Sequence, residues 1–80
     1  MTWAAIEREA NGAAAIYGPF RSTHEALGVL TEEYHELIEA VRSNDLARIA
    51  REAIQVSAVA ARLADQCAGP LPEFRKRSGG

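Results

Sequence analysis

Proline stands at only three positions in this 80-residue chain: 19, 70 and 72. Proline removes a backbone donor and disfavours a helical residue before it. Residues 20 to 69 are therefore the one long interval in which helices can run unbroken. Alanine, leucine, glutamate and arginine, all good helix formers, dominate it. Nothing in the chain reads as a strand. The expected fold is all-α, with three helices per chain, a long helical hairpin, and assembly into an oligomeric helical bundle.

The first helix is expected from about Trp3 to Tyr17, capped by Thr2 and ended by Gly18-Pro19, with Gly12 weakening its middle. The second runs from about Thr23 to Ser43. Ser22-Thr23-His24-Glu25 has capping-box spacing, which makes Ser22 the N-cap. Leu27, Leu30, Tyr34, Leu37 and Val41 recur at three- and four-residue steps and form its apolar stripe. Ala26, Val29, Glu33, Glu36 and Ala40 form a neighbouring strip, while His35 and Glu39 fall on the wet face. Asn44-Asp45 makes a turn and cap. The third helix then runs from about Leu46 to Cys67 and stops at Gly69-Pro70. Its apolar arc is wide: Ile49, Ala53, Val56, Ala60, Leu63 and Ala64 on one side, Ile54 and Ala61 on the other. Two apolar sectors on one helix suggest more than one neighbour, hence an oligomer. Residues 1–69 are read as one helical domain and 70–80 as a flexible tail.

A chain this short buries a thin core and often needs a partner. Its single cysteine, Cys67, excludes an internal disulfide, and no Cys/His set suggests zinc. A small buried side chain is the expected role of Cys67. There is no signal-peptide pattern, and no apolar run approaches the ~20 residues that span a bilayer. A soluble cytoplasmic protein is the default expectation. The net charge of −2 hides an asymmetry: residues 22–47 carry six acids against one base, Arg42. An acidic middle argues against a nucleic-acid surface, and the three charges of Arg75-Lys76-Arg77 are weak evidence for one.

Within that acidic middle, Glu32-Glu33-x-x-Glu36 is followed by Glu52-x-x-Gln55 on the next helix. Residues three or four apart share a helical face. Glu33 and Glu36 thus project together, as do Glu52 and Gln55, and an antiparallel hairpin can bring the pairs face to face. An acidic run is ordinarily a solvated face. Two features weigh against that here. Glu33 and Glu36 do not lie on the wettest face, and Glu52 is embedded in an apolar arc, where an unpaired charge is costly. Clustered carboxylates are commonly relieved by a divalent cation, and hard oxygen ligands suit Mg²⁺, with Mn²⁺ as a substitute.

These residues carry a resemblance. Tyr17-Gly-Pro-Phe20, Ser22 with His24-Glu25-Ala26, Glu32-Glu33-x-x-Glu36-Leu37, and Arg51-Glu52-Ala53-Ile54-Gln55-Val56 resemble a MazG-like member of the all-α nucleoside triphosphate pyrophosphohydrolases, of the short phage and actinobacterial type. The likeness covers residues 3 to 67. It implies Mg²⁺-dependent hydrolysis of (d)NTP to monophosphate and pyrophosphate, in bundles of two or four chains. It makes Glu33, Glu36 and Glu52 metal ligands and Glu32 a catalytic, water-orienting carboxylate. The family's fourth position is aspartate, and here it is Gln55. An amide offers a carbonyl oxygen to the ion or a hydrogen bond to a phosphate but no charge, so one metal is expected rather than several.

Lesser candidates are weighed against plainer roles. His24, in the first turn of its helix, would touch substrate or serve as a surface or capping residue. Trp3, Tyr17 and Phe20 would stack on a base, with anchoring of the first helix the better expectation. Arg51 and Arg62 point outward from the third helix and would meet phosphates from a partner chain or simply solubilise. Two rival readings stay open. One is phosphoribosyl-ATP pyrophosphohydrolase. The other is a non-catalytic helical module binding a nucleotide or protein partner. Neither membrane nor nucleic acid is an expected partner.

Overall fold

The computed structural model describes residues 2–68. The expected tail, 70–80, lies outside the described residues. Three α-helices follow one another: α1 Thr2–Tyr17, α2 Thr23–Ser43 and α3 Leu46–Ala68. No strand occurs among the described residues. Thr2 is already helical rather than a cap, and α3 runs one residue past its expected end.

Local chemistry sets the boundaries. Ser22 has extended backbone, and its hydroxyl accepts from the Glu25 N–H at 3.0 Å. Glu25 closes the box by accepting from the Arg21 N–H at 3.1 Å, one residue before the N-cap. Asn44 ends α2 in the left-handed region at φ 59°, which asparagine tolerates better than most residues. Asp45 then opens α3, its carboxylate accepting from the Ala47 and Arg48 N–H groups at 3.1 and 3.2 Å. Two residues thus reverse the chain, so α2 and α3 are antiparallel.

Both α1 and α2 pack on α3, and they make no contact with one another. The ties Glu9–Gln55 and Gly18–Arg62 show that α1 runs parallel to α3. This arrangement accounts for the wide apolar arc of α3 within a single chain: its two sectors serve α1 and α2. The arc therefore does not by itself require a second copy.

The core is small. Phe20, Ala26, Ala40, Ala58 and Val59 are buried, and Val29, Leu30 and Leu63 pack against the cluster of Phe20, Ala26 and Val59. Alanine at the contact lets helices approach closely. On α2 the expected leucine stripe is buried only in part: Leu30 packs on the core and Leu37 is half-buried. Ala26 and Ala40 of the neighbouring strip face α3, while Leu27, Tyr34 and Val41 are 57%, 55% and 55% exposed. Small side chains win the contact because they permit the closest helix–helix approach, and the larger ones are left facing out. Trp3 and Tyr17 are likewise exposed and do not anchor α1.

Phe20 is the anchor instead. Gly18, at φ +73°, turns the chain out of α1. Phe20 then inserts beside α3, where the Gln66 side chain clamps its backbone. The Phe20 N–H donates to Gln66 Oε1 and Gln66 Nε2 donates to the Phe20 carbonyl, both at 2.8 Å. Arg62 does not point outward as expected. It donates to the Gly18 carbonyl at 3.2 Å and lies 4.2 Å above the Phe20 ring. No described helix is long and apolar enough to cross a membrane.

Candidate metal centre

The helical phases of α2 and α3 converge on one point. Glu33, Glu36 and Glu52 each place a carboxylate oxygen so that the three atoms lie within 4.8 Å of one another. Glu33 and Glu36 come from one turn of α2, and Glu52 faces them from α3. Glu33 and Glu52 are half-buried. Glu36 is exposed, wetter than its expected place among small and apolar residues.

The carboxylates of the trio act on one another, with Arg48 the one base that opposes them at Glu36. Burial raises the Glu33 carboxyl above its ordinary value, and the charges of Glu36, Glu52, Glu32 and Glu9 add to the rise. Glu36 is also raised, first by a side-chain hydrogen bond to Glu52, then by the charge of Glu52, with Arg48 opposing. One oxygen of Glu33, Oε2, is buried with no hydrogen-bond partner. Buried polar oxygens nearly always have one, and this atom has none among the described residues. Hard carboxylate oxygens in this number suit Mg²⁺ or Mn²⁺, and the orphaned oxygen gives such an ion a donor that nothing else uses. The residues present fit the ion.

A cleft of about 430 Å³ lies between the helices, and of the trio it is lined by Glu33 alone. Its floor is α3, with Gln55, Ala58, Val59 and Arg62. Its walls are α1 and α2, and it runs from Glu9 and Glu33 to Tyr17, Phe20 and Glu25. One end is acidic and the other offers aromatic rings beside a guanidinium. A second, more open groove of about 740 Å³ lies between α1 and α3, lined by Trp3, Ile6, Ala10 and Asp65 among others, and holds none of the trio.

The remaining expected residues fall in different places. Glu32 is exposed and outside the trio, although its charge reaches Glu33. Gln55 lines the cleft, and its Nε2 donates to Glu9 Oε1 at 2.8 Å. His24 is exposed in the first turn of α2 and lines neither cavity.

Sequence reasoning missed Glu9. The half-buried residues of α1 include Ala5, Ile6, Glu9, Ala10 and Ala13, so Glu9 is a carboxylate within the stripe that faces α3. The same anomaly singled out Glu52, and a phase reading of α1 would have found it. In comparison with known proteins, no family model, curated protein or solved structure matches this chain at a significant level.

Proposed function

We propose that this chain is a divalent-cation-dependent nucleotide pyrophosphohydrolase of the MazG-like kind, cleaving (d)NTP to monophosphate and pyrophosphate. The observation that supports the reading is the convergence of Glu33, Glu36 and Glu52, with an orphaned carboxylate oxygen on Glu33, the member of the trio that also lines a cleft of about 430 Å³. Three carboxylates at one point disfavour a bare triphosphate, so the site takes one only together with a cation.

Glu33, Glu36 and Glu52 would hold Mg²⁺. The ion, when bound, supplies charge neutralisation for the phosphate oxygens, the main requirement of phosphoryl transfer. The chain's own residues do the rest. Rigid helices fix the carboxylates, and the cleft floor of Ala58 and Val59 excludes water from the nucleoside. Tyr17 offers aromatic surface at the far end, while Phe20 there is buried under Arg62. Glu32, whose charge reaches Glu33, would be the residue to accept a proton from an attacking water. His24 lies outside the cleft and has no part in this reading within one chain.

We place the active form as a homodimer or homotetramer. Leu27, Tyr34, Val41 and Leu46 leave large apolar side chains in solvent, Leu46 at 78% exposure, and exposed apolar patches commonly mark interfaces. Light scattering at micromolar concentration should show an oligomer, and a stable monomer would remove this part of the proposal.

One observation favours a second reading, a non-catalytic nucleotide-binding module: Gln55 is neutral and engaged with Glu9. Pyrophosphate release with Mg²⁺, across a panel of NTPs, dNTPs and phosphoribosyl-ATP, separates the readings. Release from nucleoside triphosphates is expected. Binding without release would favour the module, and release from phosphoribosyl-ATP alone would move the substrate class.

A further inference from the structure

The carboxylate trio is built entirely from the α2–α3 hairpin, yet α1 delivers a fourth acid to its edge. Glu9 is half-buried, lines the same cleft as Glu33 and Gln55, and accepts the Gln55 amide hydrogen at 2.8 Å. Its charge is close enough to act on Glu33. A carboxylate beside three others is electrostatically costly, and the Glu9 contact with Gln55 relieves only part of that. The Gln55 side chain has two ends. With its amide nitrogen committed to an acceptor, the carbonyl oxygen is the end it has left to offer.

We infer that Glu9 is a positioning residue of the proposed metal centre: it fixes the Gln55 amide with its carbonyl oxygen available and supplies from α1 the negative charge that Gln55 lacks. The inference rests on the proposed cation site and adds α1 to it. The fourth negative charge then sits one hydrogen bond further from the trio instead of being lost.

Outer partners that orient a ligating group typically change metal affinity by about 10–100-fold when removed. The test is Mn²⁺ and Mg²⁺ titration by calorimetry at neutral pH, on wild type, Glu9→Ala, Glu9→Gln, and the charge swap Glu9→Gln with Gln55→Glu. Circular dichroism checks that each variant is folded. Glu9→Ala should weaken cation binding by about 10-fold or more. Glu9→Gln keeps an acceptor for the Gln55 amide, removes the charge, and should fall between. The swap keeps one carboxylate and one amide in contact with their places exchanged, and should return affinity to within about threefold of wild type.

Two outcomes overturn the inference. One is a folded Glu9→Ala variant that binds cations as wild type does. The other is a swap that binds no better than Glu9→Ala. Should the Glu9→Ala chain unfold, Glu9→Gln, which keeps the hydrogen bond to α3, decides: cation binding equal to wild type overturns the inference, and so does a swap that binds no better than Glu9→Gln. Wild type that binds no divalent cation would defeat the proposed function itself, a result distinct from either.

Discussion

The Phe20 end of the hairpin and the Glu33 cluster midway along it are built to opposite standards. At the Phe20 end, polar groups are matched: Gln66 clamps both backbone groups of Phe20, Arg62 caps Gly18 and stacks on the ring, and Ser22 and Glu25 close the helix start. At the Glu33 cluster, three carboxylates crowd together, two have raised proton affinity, and one buried oxygen has no partner. The Phe20 end holds α1, α2 and α3 together. The cluster works against the fold in the absence of a ligand. A chain with so few buried side chains gains nothing in stability from such a cluster. Perturbed carboxylates beside a cleft are the expected mark of a functional site.

The contrast predicts mutations of opposite sign. Phe20→Ala should cost the most, about 3–5 kcal/mol, because it empties the main buried cluster. Urea denaturation measures it, and a loss under about 1 kcal/mol would mean that the Phe20 end is not the anchor. Gln66→Ala should cost about 1–3 kcal/mol, since it strands the N–H and carbonyl of Phe20. At the carboxylate cluster, Glu33→Gln should stabilise the metal-free chain by a few tenths of a kcal/mol, the usual scale of a relieved like-charge pair on a helix, and Glu36→Gln should act in the same direction. Destabilisation by more than about 1 kcal/mol would make these glutamates structural and erase the contrast.

The sign of the pH dependence follows from the raised carboxyls. Between the ordinary value of 4.5 and their higher folded values, Glu33 and Glu36 hold protons in the folded chain that the unfolded chain has released. Stability from these groups is therefore lost as pH rises through that window and regained on acidification. Without divalent cations, the melting temperature should rise as pH is lowered through the range just above 4.5. Glu33→Gln should flatten the slope. A wild-type slope that this variant does not change would assign the pH dependence to other groups.

Much of this architecture was legible in the sequence. Ser22 and Glu25, Asn44-Asp45 and Gly18-Pro19 mark boundaries through their own backbone chemistry, so α2 matches its expected span from Thr23 to Ser43. The meeting of Glu33, Glu36 and Glu52 was also legible, because a two-residue reversal and the helical repeat determine which faces oppose. The choice of face on α2 was not. Periodicity favours Leu27, Tyr34 and Val41, but closeness of approach selects Ala26 and Ala40, a tertiary effect that one helix cannot display. Arg62 was misread for the same reason, since its partners, Gly18 and Phe20, are distant in sequence. Glu9 was overlooked because attention to an acidic run passes over a lone acid on another helix.

The account depends most on the Glu33 cluster being a divalent-cation site, and a melt titrated with Mg²⁺ or Mn²⁺ at neutral pH addresses that directly. A ligand that binds only the folded chain stabilises it by about 2.7 kcal/mol at 100 times its dissociation constant. Wild type should gain melting temperature in step with cation concentration, and its slope with pH should shrink as the cation takes the place of bound protons. The Glu33→Gln, Glu36→Gln, Glu52→Gln triple variant should start at or above the metal-free wild-type melting temperature and gain nothing. A wild-type melt indifferent to either cation, or a triple variant that gains as much as wild type, would contradict the account.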